Sequence, residues 1–412
     1  MSVLHINGAR LWNTIMLMAE IGATDDGGCN RQALTTLDQQ GRDLFVKWSE
    51  EAGCTVSVDE MGNIFARRPG RLVDAPPVIT GSHLDTQPTG GKFDGVYGVL
   101  GGLEVIRTLN DEKITTDCPI EVVCWTNEEG ARFSPAMIGS GVWSGEFDLD
   151  YGHTRQDKAG ITIKQALSSI GYLGDIPAQH KPVKAAFELH IEQGPILETN
   201  KKNIGVVSGV QGMNWYDITL KGTPCHAGPS PMDSRQDPFM GLNDILENLY
   251  KLAAKHAPWS RVTFGDLRVE PGARNTVPET LVLATDLRHP NQEILDSMDT
   301  EMRAIVANAC AKYGLGHEVR TEWRSPAVSF DTDCINAVKS ATSDLQYSNE
   351  VMFSGAGHDA VYVSKVAPTS MIFIPCEGGI SHNPLENADA GDIEKGCNVL
   401  ANAMLTMASK YQ

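Results

Sequence analysis

One segment, residues 81–95 with the sequence GSHLDTQPTGGKFDG, constrains the fold more than any other part of the chain. It follows an apolar run, 77–80, that is typical of a short buried strand, and its glycines and proline predict a loop. His83, Asp85 and Asp94 are therefore predicted in a loop at the end of a buried strand, which is where α/β sheets place their functional sites. Imidazole and carboxylate groups together suggest metal ligands. A solvated polar turn is the alternative.

Length, composition and charge narrow the class of protein. A chain of 412 residues is long for a single core, so we expect two domains. The net charge of −18 argues against nucleic-acid binding, which needs basic surfaces. No apolar run approaches the ~20 residues of a membrane span, and the N-terminus lacks the pattern of a signal peptide. Nine scattered cysteines without a C-x-x-C motif fit free thiols. These features predict a cytoplasmic protein that binds neither nucleic acid nor membranes.

Three further apolar strands are predicted to carry potential metal ligands at or just beyond their ends. They are 120–125 followed by Glu128 and Glu129, 185–191 containing His190, and 369–374 followed by His382. Adjacent side chains of an extended segment point in opposite directions, so Glu128 and Glu129 can have different roles, one in metal binding and one in proton transfer. An acidic helix N-terminus is the alternative for this pair.

Together these segments predict a metal centre with two ions. The candidate ligands are His83, Asp94, Glu129, His190 and His382. Their mixture of imidazole and carboxylate suits Zn, Mn, Co or Ni. Five ligands exceed one tetrahedral site and suit two divalent ions that share a bridging carboxylate. Asp85 is placed to hold the second ring nitrogen of His83, and Glu128, beside a ligand, is the natural general base.

Residues 211–327 are predicted to form a second domain inserted into the first. The glycine-rich segment 205–212 is typical of a hinge, and the pattern that follows is strand, helix, strand, strand, helix, strand. These elements predict an open α/β sandwich. From residue 328 the strand-and-loop pattern of the first domain resumes. The predicted domains are therefore 1–210 with 328–412, and 211–327.

The motifs resemble those of the hydantoinase/carbamoylase branch of the di-metal aminoacylase/carboxypeptidase family. The segments that carry this resemblance follow the family order and span most of the chain; they are 81–86, 90–95, 127–133, 190–194 and 381–384. The branch includes N-carbamoyl-L-amino acid hydrolases, β-ureidopropionase, allantoate amidohydrolase and ureidoglycolate amidohydrolase. The resemblance implies an α/β fold: a catalytic domain with a mixed sheet flanked by helices, plus an inserted, smaller α/β sandwich that serves as dimerisation or lid domain.

The resemblance also implies a role for each candidate residue. His83, Asp94 and His190 would hold one metal ion, and Asp94, Glu129 and His382 the other, with Asp94 as the bridge. The implied catalytic residues are Glu128 as base, Asp85 and His226; the implied substrate-binding residues are Gln193, His226, Asn275 and Arg288. His226 would reach the active site of the partner subunit in a homodimer. A guanidinium such as that of Arg288 can bind a substrate carboxylate with two hydrogen bonds.

The activity implied is that of a hydrolase acting on linear, non-peptide amide bonds. It would remove the carbamoyl (ureido) group from small anionic N-carbamoyl amino acids, giving the free amino acid, ammonia and carbon dioxide. Local similarity in 87–91 and 131–137 favours N-carbamoyl-β-alanine or N-carbamoyl-L-amino acids as substrates. Allantoate or ureidoglycolate amidohydrolase is the alternative. A metallopeptidase is disfavoured by His190, where peptidases usually carry a carboxylate, and a non-catalytic binding protein is disfavoured by the complete ligand set.

Overall fold

The computed structural model describes residues 3–409. The chain folds into two compact units. The larger unit runs to Gly209 and resumes at Ser329, and the smaller unit is Val210–Val328. The chain enters and leaves the smaller unit once. The smaller unit is therefore an insertion in the larger one.

The described residues contain fifteen strands and twelve α-helices, joined by loops and turns. The strands are β1 (Thr55–Val58), β2 (Ile64–Arg68), β3 (Val78–His83), β4 (Ile120–Trp125), β5 (Ala185–Ile191), β6 (Ile204–Val210), β7 (Gly212–Lys221), β8 (Cys225–His226), β9 (Arg261–Glu270), β10 (Thr276–Val277), β11 (Thr280–His289), β12 (Gly316–Ser325), β13 (Val328–Ser329), β14 (Asn349–Ser354) and β15 (Thr369–Ile374). The helices are α1 (Gly8–Ala19), α2 (Thr36–Glu51), α3 (Val96–Asp111), α4 (Ile138–Ser144), α5 (Leu149–Thr154), α6 (Ile163–Ile170), α7 (Ile196–Thr199), α8 (Pro238–Lys255), α9 (Gln292–Tyr313), α10 (Thr332–Asp344), α11 (Asp359–Val363) and α12 (Ala390–Ala408).

A nine-stranded mixed sheet forms the centre of the larger unit, with the order β1-β2-β4-β3-β5-β15-β6-β13 and β14 paired to β6. The four central strands are parallel, because β3 pairs in parallel with both β4 and β5, and β5 with β15. The outer strands β2 and β6 run antiparallel to their neighbours. Parallel strands end at the same edge of a sheet, so the loops after β3, β4, β5 and β15 emerge together. The predicted mixed α/β fold class is confirmed.

The central strands are apolar because helices cover both faces of a parallel sheet. Every residue of β3, β5 and β15 is buried. Helix α3 lies close against the sheet through its glycines. A Cβ atom added to Gly98 would lie 2.6 Å from the carbonyl oxygen of Leu189, and one added to Gly102 would lie 2.7 Å from Cγ2 of Thr80. This close approach fixes the start of α3, just after Asp94.

The smaller unit contains an antiparallel sheet in the order β12-β7-β11-β9, packed against helices α8 and α9. Strand β11 alternates between fully buried and partly buried residues, the pattern of a sheet with one face on the core. A separate two-stranded ribbon joins β8 to β10 and pairs His226 with Thr276. This ribbon was not predicted from the sequence, because strands of two residues leave no periodic pattern.

Candidate metal centre

The strand ends of the larger unit bring all five predicted metal ligands together. His190 lies in β5, and Asp94, Glu129 and His382 lie in the loops that follow β3, β4 and β15. His83 differs from expectation, because it is the last residue of β3 rather than a loop residue. Backbone pairing of His83 with Trp125 on β4 therefore holds it in the sheet.

Asp94 lies between two groups of side chains and presents one oxygen to each. Its Oδ1 is 3.1 Å from Nε2 of His190 and 3.7 Å from Nε2 of His83. Its Oδ2 is 3.4 Å from Nε2 of His382, which is also 3.4 Å from Oε2 of Glu129. Within each group the possible ligand atoms lie within 4.8 Å of one another. The arrangement matches a bridging carboxylate between two cation sites.

Backbone carbonyls fix the ring orientation of the two buried histidines. Nδ1 of His83 lies 2.8 Å from the carbonyl oxygen of Asp85, and Nδ1 of His190 lies 2.9 Å from that of Ile191. A carbonyl oxygen only accepts, so each Nδ1 carries the hydrogen in the neutral ring. Nε2 of each ring therefore faces Asp94, and a ring that gives up its Nε2 proton offers a lone pair there to a metal ion.

The Asp85 side chain has a different contact from the one predicted. Its Oδ1 is 4.0 Å from Nδ1 of His83, because the Asp85 carbonyl already occupies that nitrogen. The carboxylate instead accepts hydrogen bonds from the backbone N–H groups of Glu128, at 3.3 Å, and Glu129, at 3.2 Å. Asp85 therefore holds the turn that carries both glutamates.

The electrostatics of the centre favour a cation. Burial raises the pKa of Glu128 well above its usual range, and burial together with Asp94 raises the pKa of Glu129 to about 7. Burial also acts against ionisation of Asp94, but hydrogen bonds with three histidines hold its pKa well below the usual range. The hydrogen bond to Asp94 raises the pKa of His382 to about 9. Closely spaced carboxylates with imidazole nitrogens are the donor set that divalent transition metals prefer, so the residues fit such ions.

The two groups differ in exposure. The side chains of His83 and His190 are 2% and 1% exposed, whereas that of His382 is 51% exposed. His382 also has a φ of 52°, which is uncommon for a residue with a side chain. The group of Asp94, Glu129 and His382 is therefore the more accessible one.

Two residues that the sequence analysis missed hold the carboxylates in place. The backbone N–H of Gln87 donates to Oε1 of Glu129 at 3.0 Å, and its side-chain Nε2 donates to Oε2 at 2.8 Å. Glu386 accepts from the backbone N–H groups of Phe93, at 2.9 Å, and Asp94, at 3.1 Å. Gln87 lies inside segment 81–95, and Glu386 is four residues beyond His382, so proximity in sequence to the predicted ligands was the available signal.

A buried polar layer lies behind His190. Glu188 accepts hydrogen bonds from Oγ of Ser82 at 2.7 Å and from the backbone N–H of Ala360 at 2.9 Å. The ring of His358 lies edge-on to that of His190, with centroids 4.6 Å apart. Glu188, His190 and His358 are close enough for a further cation. However, both Glu188 oxygens are already bonded and Nε2 of His190 faces Asp94, so we interpret this layer as support for His190.

The predicted substrate residues lie in both units. In the larger unit, Nε2 of Gln193 is 2.9 Å from Oδ2 of Asp94 and 3.2 Å from Oγ of Ser381. In the smaller unit, His226 and Asn275 are neighbours at the β8–β10 ribbon, where the N–H of Ala227 donates to the Asn275 carbonyl at 2.9 Å. Both side chains are exposed.

Arg288 lies at the other end of the small sheet. Its Nε and Nη2 donate to Oδ2 of Asp286 at 2.9 Å and 2.8 Å. Thr280, at the start of β11, pairs with Lys221 near the ribbon. Arg288 is eight residues further along the strand, about 27 Å at the usual rise of a strand. One copy of the smaller unit therefore does not bring Arg288 and His226 together.

Among residues 3–409, no helix combines the length and the apolar character that crossing a membrane requires.

An α/β sheet with imidazole and carboxylate groups gathered at its strand ends is typical of metal-dependent hydrolases. Residues 79–406 match the model of peptidase family M20/M25/M40, so the chain belongs to this family. Its enzymes are metal-dependent.

Individual relatives agree with the resemblance. The N-carbamoyl-L-amino-acid amidohydrolase of Rhizobium meliloti is 45% identical over 404 residues, which cover 98% of this chain and 97% of the relative. The allantoate amidohydrolase of Bacillus subtilis is 31% identical over 394 residues, 95% of each chain. The crystal structure of an amidase of the hydantoinase/carbamoylase family from Burkholderia multivorans superposes with a TM-score of 0.96 and 52% identity, covering 99% of this chain and 100% of that one. The family resemblance seen in the motifs is confirmed.

Proposed function

We propose that this protein is a metal-dependent amidohydrolase that removes the carbamoyl group from N-carbamoyl amino acids. The proposed substrates within this class are N-carbamoyl-β-alanine and N-carbamoyl-L-amino acids. The observation that carries the proposal is Asp94, which offers one oxygen to each of two ligand groups beside the buried Glu128. The relative from Rhizobium meliloti, named as an N-carbamoyl-L-amino-acid amidohydrolase, supports the substrate class.

Two divalent ions per subunit fit the centre, Zn or Mn in the first place and Co or Ni as alternatives. His83, Asp94 and His190 would hold one ion, and Asp94, Glu129 and His382 the other. When bound, such ions polarise a carbonyl group and make a water molecule more acidic. The protein's contribution is to hold the ligands, through the carbonyls of Asp85 and Ile191 and the amide of Gln87.

Glu128 is the group that would move the proton. Its Oε2 lies 3.4 Å from Nε2 of His83, so it faces the ligand groups, and only 8% of the residue is exposed. Burial raises the pKa of Glu128 above the usual range of a carboxyl group, the direction that suits a group that both takes up and returns a proton. Glu128 would accept a proton from the attacking water and deliver it to the nitrogen that leaves as the ureido carbon–nitrogen bond breaks. Cleavage of this bond leaves a carbamic acid, and its loss of carbon dioxide breaks the second carbon–nitrogen bond, so ammonia, carbon dioxide and the free amino acid are the products.

Substrate recognition would depend on Gln193 and on the smaller unit. Asp286 holds the Arg288 guanidinium in one orientation, and a fixed, planar guanidinium is suited to a substrate carboxylate. Asn275 and His226 would bind the polar ureido group. A donor such as the His226 ring stabilises the negative charge that develops on the ureido oxygen.

A homodimer is part of this proposal. Arg288 lies about 27 Å along β11 from Thr280, the end of the small sheet from which the chain continues into the ribbon that carries His226. A small N-carbamoyl amino acid cannot span this distance. If both residues contact one substrate molecule, they must come from different subunits, which supports a site completed by His226 of a second copy.

A cytoplasmic location is also proposed, supported by nine cysteines that are all free.

Allantoate amidohydrolase is the second candidate. It is favoured by the relative of that name from Bacillus subtilis, which matches this chain over 95% of its length. Allantoate shares the ureido group and the carboxylate, so the same residues could bind it.

Ammonia release by the manganese- or zinc-loaded protein tests the proposal. N-carbamoyl-β-alanine, an N-carbamoyl-L-α-amino acid, allantoate and a dipeptide would be assayed in parallel. We expect release from one or both carbamoyl amino acids and no cleavage of the dipeptide. Release from allantoate alone would select the second candidate, and no reaction with any ureido compound would contradict the proposed function.

A further inference from the structure

Gln87 binds both oxygens of Glu129. Its backbone N–H lies 3.0 Å from Oε1 and its side-chain Nε2 lies 2.8 Å from Oε2. An ionised carboxylate only accepts hydrogen bonds, so the amide of Gln87 must present its nitrogen. A second contact, 3.4 Å from Nε2 to the Glu129 carbonyl, lies on the same residue. One residue, through its backbone and its side chain, therefore fixes both the position and the rotation of this carboxylate.

The contact affects only one of the two ligand groups. Glu129 belongs to the group with His382, whereas His83 and His190 are held by the carbonyls of Asp85 and Ile191. The His382 group is also the accessible one, since the side chain of His382 is 51% exposed. In that group the side chain of Glu129 is itself only 4% exposed, and the bond from the Gln87 amide fixes the orientation of its carboxylate beside the exposed His382.

We propose that Gln87 is a positioning residue that sets the affinity of the accessible ligand group for its metal ion, without a comparable effect on the buried group. The proposal rests on the proposed function, because it needs two ions per subunit. Without the Nε2 donor, Glu129 keeps the backbone N–H on Oε1 and only the longer 3.4 Å contact with His382 on Oε2, so its carboxylate is less firmly oriented. Loss of a partner that orients a ligand typically lowers metal affinity by about 10- to 100-fold.

The experiment compares Gln87→Ala with Thr89→Ala, a matched control at an exposed position of the same loop. Each protein is freed of metal by dialysis against a chelator and titrated with Mn²⁺ alone. Bound ions per subunit are counted by elemental analysis, and each affinity is measured by competition with a chelating dye. Wild type and Thr89→Ala should bind two ions. Gln87→Ala should bind the first ion as wild type does and the second about 10-fold or more weakly.

Gln87→Met separates positioning from a packing defect, because methionine keeps the length of the side chain without a donor. We expect the Met variant to lose affinity for the second ion as the Ala variant does, with the Tm of the metal-free protein unchanged. Wild-type binding of both ions by the Met variant, or an equal weakening of both ions, would overturn the role of Gln87. If wild type itself bound fewer than two ions, the two-ion part of the proposed function would fail, and this inference with it.

Discussion

The two units of this protein place their functional side chains in opposite ways. In the larger unit, His83, Asp94 and His190 are buried and each is held by neighbouring hydrogen-bonding groups. In the smaller unit, His226 and Asn275 are exposed, and Arg288 lies at the far end of the sheet. One unit contains a complete, pre-organised set of groups, whereas the other contains separate groups that do not meet.

This difference indicates that, in the proposed enzyme, the larger unit binds the metal ions and transfers the proton, whereas the smaller unit recognises the substrate. Metal binding and proton transfer need groups held in fixed geometry, and the parallel strand ends of the larger unit supply that rigidity. Recognition of the substrate ends can be shared between two copies of the smaller unit. We therefore expect substitutions in the larger unit to affect turnover or metal content, and those in the smaller unit to affect substrate binding or the contribution of the partner.

The largest effect is expected from Glu128→Gln. The variant keeps the shape of the side chain but cannot accept the water proton, so kcat should fall by at least about 10³-fold. Metal content should be unchanged, because Glu128 belongs to neither ligand group. Elemental analysis and an ammonia assay measure the two properties on one sample.

Glu129→Gln is the neighbouring control and should behave differently. It removes a ligand charge from the accessible group, so one ion per subunit should be lost along with activity. Equal metal loss in both variants would show that the adjacent glutamates do not have separate roles.

A smaller effect is expected from Arg288→Met. Loss of the charged, two-pronged contact to the substrate carboxylate should lower kcat/KM by roughly 10- to 100-fold, mainly through KM. Arg268→Met is a matched control, because Arg268 lies on the neighbouring strand, is 58% exposed and pairs with Asp217 and Asp266. A fall in kcat with unchanged KM would contradict a role of Arg288 in binding the carboxylate.

The smallest effect is expected from Glu386→Gln compared with Glu386→Ala. Glu386 accepts from the N–H groups of Phe93 and Asp94 through one oxygen, and glutamine retains such an oxygen. The Ala variant should weaken both ions by about 10-fold, because Asp94 serves both groups, and the Gln variant should be close to wild type. Metal titration checks this, and a selective loss of one ion would show that Glu386 does not act through Asp94.

The sequence predicted the central strands and the side chains that gather at their ends, but not the contacts that hold these side chains. Apolar strands that end in polar loops gave the positions of His83, Glu129, His190 and His382, since the ends of parallel strands meet whatever the details of packing. The prediction that the Asp85 carboxylate holds Nδ1 of His83 was wrong. The Asp85 carbonyl oxygen lies closer to that nitrogen, at 2.8 Å compared with 4.0 Å.

Two further contacts could not be predicted from local sequence patterns. Glu386 accepts a hydrogen bond from Phe93 across 293 positions of sequence, and its place four residues after His382 does not indicate this partner. The β8–β10 ribbon depends on pairing between residues 50 positions apart, Thr276 and His226, and each strand has only two residues. Long-range pairing of short segments is decided by tertiary packing rather than by local periodicity.

The most direct test of the central claim, that an active site combines the larger unit of one subunit with His226 of another, uses two inactive variants. Glu128→Gln and His226→Ala, carrying different affinity tags, are co-expressed and the mixed dimer is purified through both tags. Each single variant should lose about 10²-fold or more of its activity. In the mixed dimer one of two sites combines an intact Glu128 with an intact His226, so we predict about half of the wild-type activity. A mixed dimer no more active than either parent would contradict the account.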